Sequence, residues 1–536
     1  MSSENNEVSD KTETRQEIID AYLSIVEKRA ELPTYSDFGI LYVNRDKIRR
    51  EFGGITLLQE YMRENHAEYL NQHFSSVEDL FSQEKSVENS TKSIFVVTTA
   101  VADSKAHVGF LEALDAYSKQ HNAQIVIMPC ESVTNSFENK TAIFDPVFKD
   151  PSYLFVQNNS PLNDNITLCS IQVSAKQLKP ITGLQRLGNR EGSYVFASPK
   201  QFLEYIPSGN SREKNFAIMT PGACTVPSYY TETFVSKRLS YIAEHDHTIG
   251  AVIIEVIDDK KFDFRQIQAA EDGSFIDMGV EYRPDGSTQE VEVNIVLGDL
   301  HAASVDQDAM GYFLGTFRQF KGRINAIFLH DTFDGLSVNR HIQDITEKFY
   351  RNQTRKSSLE EEFKETYSVV SQFDNAFDPK EIVIVKSNHD EFVDRYIKAG
   401  KYVEDVENHY TAVCLAKAYL EGFDPIYYGM ASMAGEVPLH WNFLSRDSSY
   451  VIGGVELGAH GDIGLNGAKS SLSSMEKVFG NCVVAHTHSA AIQRGAFRVG
   501  TLSKLDLGYN RVPSSWTQTC AMVYENGQRQ LINYIR

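Results

Sequence analysis

Five short stretches in the second half of the chain gather aspartate, asparagine and histidine. VNIVLGDLH carries Asp299 and His301, INAIFLHDTFDG carries Asp331 and Asp334, and EIVIVKSNHDE carries Asn388, His389 and Asp390. VELGAHGD then supplies His460, and NCVVAHTHS supplies His486 and His488. Carboxylate and amide oxygens mixed with imidazoles suit Mn²⁺, Fe²⁺ or Zn²⁺, and the absence of thiolate from the set argues against structural zinc. One carboxylate shared by two ions about 3.5–4 Å apart makes the clamp used in phosphoryl chemistry. A single Asp-x-His would mean little, because a lone histidine more often completes a core hydrogen bond. Five such stretches in series carry more weight.

Each stretch follows an apolar run of strand length, Ile324–Leu329 and Ile382–Val385 being the clearest. A carboxylate and an imidazole two residues apart, just past a parallel strand, both project into the crevice at its carboxyl end. Five strand ends therefore deliver these groups to a common edge.

The rest of the chain must support that edge. Residues 1–13 read as a disordered tail and 14–74 as a small helical domain. Within it, Ile18, Ile19, Tyr22, Leu23, Ile25 and Val26 recur at helical spacing, and Thr34 with Asp37 resembles a cap for a short helix at Tyr35–Ile40. Further helices are expected from Arg45 and over Ile55–Tyr69. Residues 75–92 read as a linker, and 93–290 as a mixed α/β accessory domain with strands at Ile94–Ala100, Gln124–Met128, Tyr194–Ala197, Phe216–Thr220 and Gly250–Val256. No phosphate loop or dinucleotide fingerprint occurs there. His245 and His247 flank Asp246 but read best as a helix-to-strand connection.

Composition sets outer limits. The 536 residues hold 72 Asp and Glu against 52 Lys and Arg, a net charge of −20, which excludes a protein that coats nucleic acid by bulk charge. Six scattered cysteines without a CxxC pair read as reduced thiols. The polar N-terminus has no secretory core, and no run of about 18 apolar residues occurs, so a cytoplasmic protein without a membrane span is expected.

The ordered set DxH, DxxD, NHD, lone histidine, HxH resembles the motifs of the calcineurin-like metallophosphoesterase superfamily, over roughly Val291 to the C-terminus. The resemblance implies an α/β fold whose residues 291–536 form a four-layer α/β/β/α sandwich, preceded by the helical and α/β domains. It implies that Asp299, His301 and His488 hold one divalent ion, that Asn388, His460 and His486 hold a second, and that Asp331 bridges them. Two ions are implied, Mn²⁺ first, with Mg²⁺, Fe²⁺ or Zn²⁺ as alternatives. A hydroxide between them would attack phosphorus, with His389 stabilising the developing charge or protonating the leaving oxygen. Asp390 would orient His389, while Asp334 would contact a ligand rather than an ion. His330 stands where the family has glycine, and its bulk reshapes the pocket, adds a contact to a ligand, or serves a buried, hydrogen-bonded structural role. Three family glycines are replaced, by His330, Ser387 and Ala485, which changes the turns but keeps every expected ligand.

Within the superfamily the layout resembles the SbcD-type DNA exonuclease branch and the host-DNA-degrading early transfer proteins of tailed phages. This implies a homo-oligomeric, manganese-dependent DNase of the infected bacterial cytoplasm. The segment around Arg45, Lys47, Arg49 and Arg50 resembles a nuclease-associated helix-turn-helix with a basic face for phosphates. Insertions over Ser337–Phe377 and Arg395–Ser449, the second with Tyr410, Tyr419, Tyr427, Tyr428, His440 and Trp441, are candidates for a substrate channel. Two alternatives use the same residues differently. One is a phosphatase or small-molecule phosphodiesterase, and the other is a non-catalytic DNA-binding or assembly protein.

Overall fold

A computed structural model describes residues 2–29, 33, 38, 43–76, 80, 87, 91–131, 142–208, 215–229, 234–338, 357–507 and 513–535, without the side chains of 2–13, 28, 29, 56, 189–191, 234–237 and 239. The chain is mixed α/β, with three large mixed sheets and helices on their outer faces.

Among the described residues, and apart from the two-stranded pair Ser75–Ser76 and Ile143–Phe144, ten strands precede residue 270. They are β1 (Ile94–Val101), β2 (Gln124–Cys130), β3 (Tyr153–Phe155), β4 (Ser160–Asn163), β5 (Ile166–Cys169), β6 (Ser193–Phe196), β7 (Gln201–Pro207), β8 (Asn215–Pro221), β9 (Gly250–Val256) and β10 (Phe262–Gln268). After the small sheet of Phe275–Asp277, Val280–Tyr282 and Thr288–Glu290 come eleven more. They are β11 (Val293–Val296), β12 (Ile324–Leu329), β13 (Glu381–Val385), β14 (Trp441–Leu444), β15 (Val451–Ile452), β16 (Val455–Glu456), β17 (Cys482–Val484), β18 (Ala491–Gln493), β19 (Ala496–Arg498), β20 (Thr519–Val523) and β21 (Arg529–Asn533).

The pairing of these strands shows an internal duplication. One sheet runs β10-β9-β1-β2-β3 and another runs β21-β20-β11-β12-β13-β14. In both, the first strand lies parallel to the second and antiparallel to the penultimate one. The third sheet reads β15-β16-β17-β19-β18-β7-β8-β6-β5-β4, so its halves mirror one another strand for strand and in parallel or antiparallel sense. They join where β18 runs antiparallel to β7, with Ile492 opposite Leu203. Isolated bridges repeat the correspondence. Asp299 pairs with Thr501 and Val305 with Ser503 in the second copy, as Thr99 pairs with Ala223 and Ala106 with Thr225 in the first.

Five apolar cores among the described residues follow from this arrangement. The ten-stranded sheet faces both other sheets across one shared core, which includes Val97, Val126 and Val195 from the first copy and Phe328, Val383 and Phe497 from the second. Helix α5 (Val108–His121) covers the outer face of the five-stranded sheet, and helices α8 (Gln307–Arg318) and α9 (Leu359–Phe377) cover that of the six-stranded sheet. On the far side of the ten-stranded sheet lie α6 (Gln185–Glu191) and α13 (Leu472–Phe479). The expected division at 290/291 therefore does not separate the sheets. β4 to β8, read as accessory, complete the same sheet as β15 to β19.

The N-terminal helices include α1 (Ser2–Arg29), α2 (Arg45–Phe52), α3 (Ile55–Asn65) and α4 (Ala67–His73). α1 takes in all but the first residue of the segment expected to be a tail. The helix expected over Ile55–Tyr69 is split at His66. The short helix expected at Tyr35–Ile40 and most of the 75–92 linker lie outside the described residues, although Phe38 is buried among these helices. No helix among the described residues is long and apolar enough to cross a membrane.

Candidate metal centre

Three parallel strands, β11, β12 and β13, end at one edge and release the first three stretches there. Asp299 is fixed on both sides, its N–H donating to Gly500 and its carbonyl accepting from Leu502. Gly298 is required at this crossing, because a Cβ would lie 2.9 Å from the Gly500 carbonyl. β16 and β17 of the facing sheet release His460, His486 and His488 toward the same place. His301, Asp331, His486 and His488 all hold left-handed backbone conformations, with φ of 46°, 44°, 76° and 60°. Such positions are costly for residues with a Cβ and cluster at functional sites.

The seven expected ligands form one cluster. His301 Nε2 lies 3.0 Å from His488 Nε2 and 3.6 Å from Asp331 Oδ2. His488 Nε2 is 3.3 Å from Asp299 Oδ2. On the other side, His460 Nε2 is 3.1 Å from Asn388 Oδ1 and 3.5 Å from Asp331 Oδ2, while the His486 ring stands edge-on to His460 at 5.2 Å. Asp331 belongs to both metal-competent groups, one with His301 and His389 and one with Asp299 and His460. Both are in the second copy. In the first, Thr99 stands at the place of Asp299, and Ala102 N donates to Cys130 O as His301 N does to Asp331 O. Pro199 O accepts from Thr248 N as His488 O does from Thr517 N, so the four positions that correspond to Asp299, His301, Asp331 and His488 carry neither carboxylate nor imidazole in that copy.

The donor atoms fit divalent ions. Both Asp299 oxygens, Asp331 Oδ1 and His460 Nδ1 are buried without a hydrogen-bond partner. Buried acceptors of this kind are costly unless something positive meets them. Burial pushes the Asp299 carboxyl well up, and the neighbouring Asp331 adds to the effect. Burial also acts upward on Asp331, but His460, His389 and His301 outweigh it and hold that carboxyl well below its ordinary range. Burial brings His460 down to about 4 and pushes His488 far down, which leaves both imidazoles neutral, as ligation requires.

Around the cluster the sequence expectations divide. Asp334 accepts from Ala303 N and lies 3.0 Å from His301 Nδ1, the contact expected of a ligand-orienting carboxylate. Asp390 does not orient His389. Its Oδ2 accepts the Ser387 N–H, while His389 Nδ1 lies 2.9 Å from the Asp334 carbonyl oxygen. Asp390 begins helix α10 (Glu391–Lys398), and that turn directs its carboxyl back along the chain, away from the imidazole. His330 is buried beside His460, with neither ring nitrogen partnered, and burial brings it down to about 3.

Arg45, Arg49 and Arg50 are exposed on α2, whose buried side is Ile48 and Phe52; Arg50 pairs with Glu51 and Lys47 with Glu17. In the insertions, residues 339–356 lie outside the described part. Trp441 and His440 both bond Asp374 of α9, so these two aromatics are packed rather than offered to a channel, whereas Tyr410 is exposed. His247 bonds the Tyr229 hydroxyl and the Thr225 carbonyl, as a connection residue would. Trp516 was not legible as a site residue. Its ring stands edge-on to His488 at 4.3 Å, and a lone aromatic in a polar run gives no spacing signal.

Protein A1 of Escherichia phage T5 is 26% identical to this chain over 466 residues, which cover 82% of this chain and 81% of that protein. No protein-family model and no solved structure matches the chain.

Proposed function

We propose that the chain is a divalent-metal-dependent phosphodiesterase that cuts DNA, with Mn²⁺ as its ion, in the cytoplasm of a phage-infected bacterium. The observation that carries the reading is the Asp331 carboxylate, which belongs to two groups of candidate metal donors, one with His301 and His389 and one with Asp299 and His460, where both Asp299 oxygens, Asp331 Oδ1 and His460 Nδ1 are buried without a hydrogen-bond partner. Similarity to a phage T5 protein over most of the chain supports the setting. Under this reading each copy has the metallophosphoesterase sandwich, and only the second keeps the ligands. Association of several copies would cover Val406, Tyr410 and Leu420, apolar or aromatic side chains exposed on one insertion.

Asp299, His301 and His488 would hold one ion and Asn388, His460 and His486 the other, with Asp331 between. When bound, the ions would activate water and neutralise charge on the phosphoryl oxygens. The chain's own groups do the rest. Asp334 fixes the His301 ring through Nδ1, leaving Nε2 for ligation. His389 donates its Nδ1 hydrogen to the Asp334 carbonyl, so a second proton taken up at Nε2 would be the one passed to the departing sugar oxygen, leaving the ring neutral with its Nδ1 hydrogen in place.

The test is incubation with Mn²⁺ and linear or circular duplex DNA, beside a generic phosphomonoester. DNA cleavage that is lost in Asp299→Ala and His389→Ala is the expected result. Cleavage of the monoester alone would replace this reading with a phosphatase. Chelator-insensitive DNA binding without turnover would replace it with a scaffold.

A further inference from the structure

Where the two copies meet, a cavity of about 490 Å³ opens, lined by residues of both. That is the size of a small-molecule site. Its walls are aromatic, with Phe216 of β8, Phe262 of β10, Tyr534 and Trp516 among them. Trp516 is common to the cavity and the centre, since it is a lining residue and its ring stands edge-on to His488 at 4.3 Å.

The polar groups in the cavity are few and convergent. Asn215 donates through Nδ2 to the Trp516 carbonyl, while its Oδ1 is buried without a partner. Asp263 also lines the cavity, and burial pushes its carboxyl up to about 6. Lys260 and Lys261, both exposed, stand at the rim. Flat apolar walls suit a planar ring, the Asn215 oxygen and the Asp263 carboxyl suit ring amino groups, and the rim ammonium groups suit a phosphate outside.

We propose that this cavity receives a nucleobase of the substrate strand, next to the phosphate engaged at the metal centre. The proposal rests on the phosphodiesterase reading for the neighbouring bond and names its substrate class, a nucleic acid strand. A base stacked here would have one of its two flanking phosphates at the Lys260 and Lys261 rim and the other on the side of Trp516, toward His488. Phosphoproteins and simple phosphomonoesters have nothing to fill the cavity.

The test needs no turnover. The full chain in EDTA is titrated with deoxyadenosine 5′-monophosphate, 2-deoxyribose 5-phosphate or inorganic phosphate. Tryptophan fluorescence is read, Trp516 being one of only two tryptophans. The nucleotide should quench, and the two base-free probes should not. Phe216→Ala should weaken nucleotide binding about tenfold. Phe216→Leu, which keeps apolar bulk but loses the ring face, should weaken it less, and both variants should unfold thermally like the parent. Equal responses to nucleotide and deoxyribose phosphate would overturn the proposal. So would unchanged affinity in both variants, or no quenching up to roughly 10 mM nucleotide. Nucleotide binding without Mn²⁺-dependent DNA cleavage would leave the cavity standing and remove the phosphodiesterase.

Discussion

Asp334 Oδ1 lies 3.0 Å from Nδ1 of His301, and its second oxygen takes the Ala303 N–H at 2.7 Å. The carboxylate thus fixes both the ring and the turn that carries it, and it leaves Nε2 of His301 facing His488 and Asp331. Asp334→Asn removes the charge and keeps the shape. Mn²⁺ affinity should fall about 10- to 100-fold, the cost usual for a lost partner of a ligating histidine. Calorimetric titration with Mn²⁺ measures it, and an affinity within about twofold of the parent would contradict the role.

Loading the centre with metal must displace protons. Burial acts downward on His301, but the hydrogen bond and charge of Asp334, with Asp331 and Asp299, bring it up to about 9. The Asp299 carboxyl is also raised, by burial and then by Asp331. Both groups must be deprotonated to ligate, so Mn²⁺ affinity rises with pH up to about 9. Titrations in buffers of different ionisation enthalpy at pH 7 should show release of about one proton or more per site filled. Affinity that stays flat between pH 6 and 8 would remove the argument.

What the sequence shows and hides follows from how each feature is encoded. Asp299, Asp331, Asn388, His460 and His488 are readable because their types are chemically distinctive and each follows a local apolar strand such as Ile324–Leu329. The duplication is not readable. Its first copy carries Thr99, Ala102, Cys130 and Pro199 where the second has ligands, so no motif survives. The joint between copies rests on pairing Leu203 with Ile492, far apart in sequence, and local periodicity cannot express that register. Asp390 misled for a related reason. Adjacency to His389 implied contact, yet the start of helix α10 turns its carboxyl to the Ser387 N–H.

A second carboxyl should make stability depend on pH. Glu362, buried on α9, accepts from the N–H groups of Leu336 and Ser337 and so ties down the loop that follows Asp334. Burial brings it up to about 7, with Asp334 adding to the rise. Because the folded value lies above the unfolded one, this contribution is complete below about 4.5 and is lost as pH rises through about 7. Glu362→Gln removes the titration. Its stability relative to the parent should improve on going from pH 4.5 to pH 8, by up to about 3 kcal/mol. Urea unfolding at the two pH values tests this, and a constant difference would refute it.

The shared core makes a prediction about fragments. A chain cut to residues 291–536 keeps every candidate ligand but loses β7, leaving β18 as an open edge where Ala491, Ile492 and Gln493 had partners. It also strips Val97, Val126, Val195 and Met219 from the core that Phe328, Val383 and Phe497 occupy. The last hairpin loses contacts as well, since Gln528 and Gln530 accept from the N–H groups of Ile276 and Met278, and Asn533 donates to Phe264. Each lost large apolar neighbour costs about 2–5 kcal/mol, and a domain has about 5–15 kcal/mol in all. The 291–536 fragment should therefore be insoluble or melt without cooperativity, whereas 93–536 should unfold cooperatively and bind Mn²⁺ like the full chain. Circular dichroism melts and Mn²⁺ titration compare the two. Cooperative melting of 291–536, with Mn²⁺ affinity within about threefold of the full chain, would show that the copies are separable domains after all.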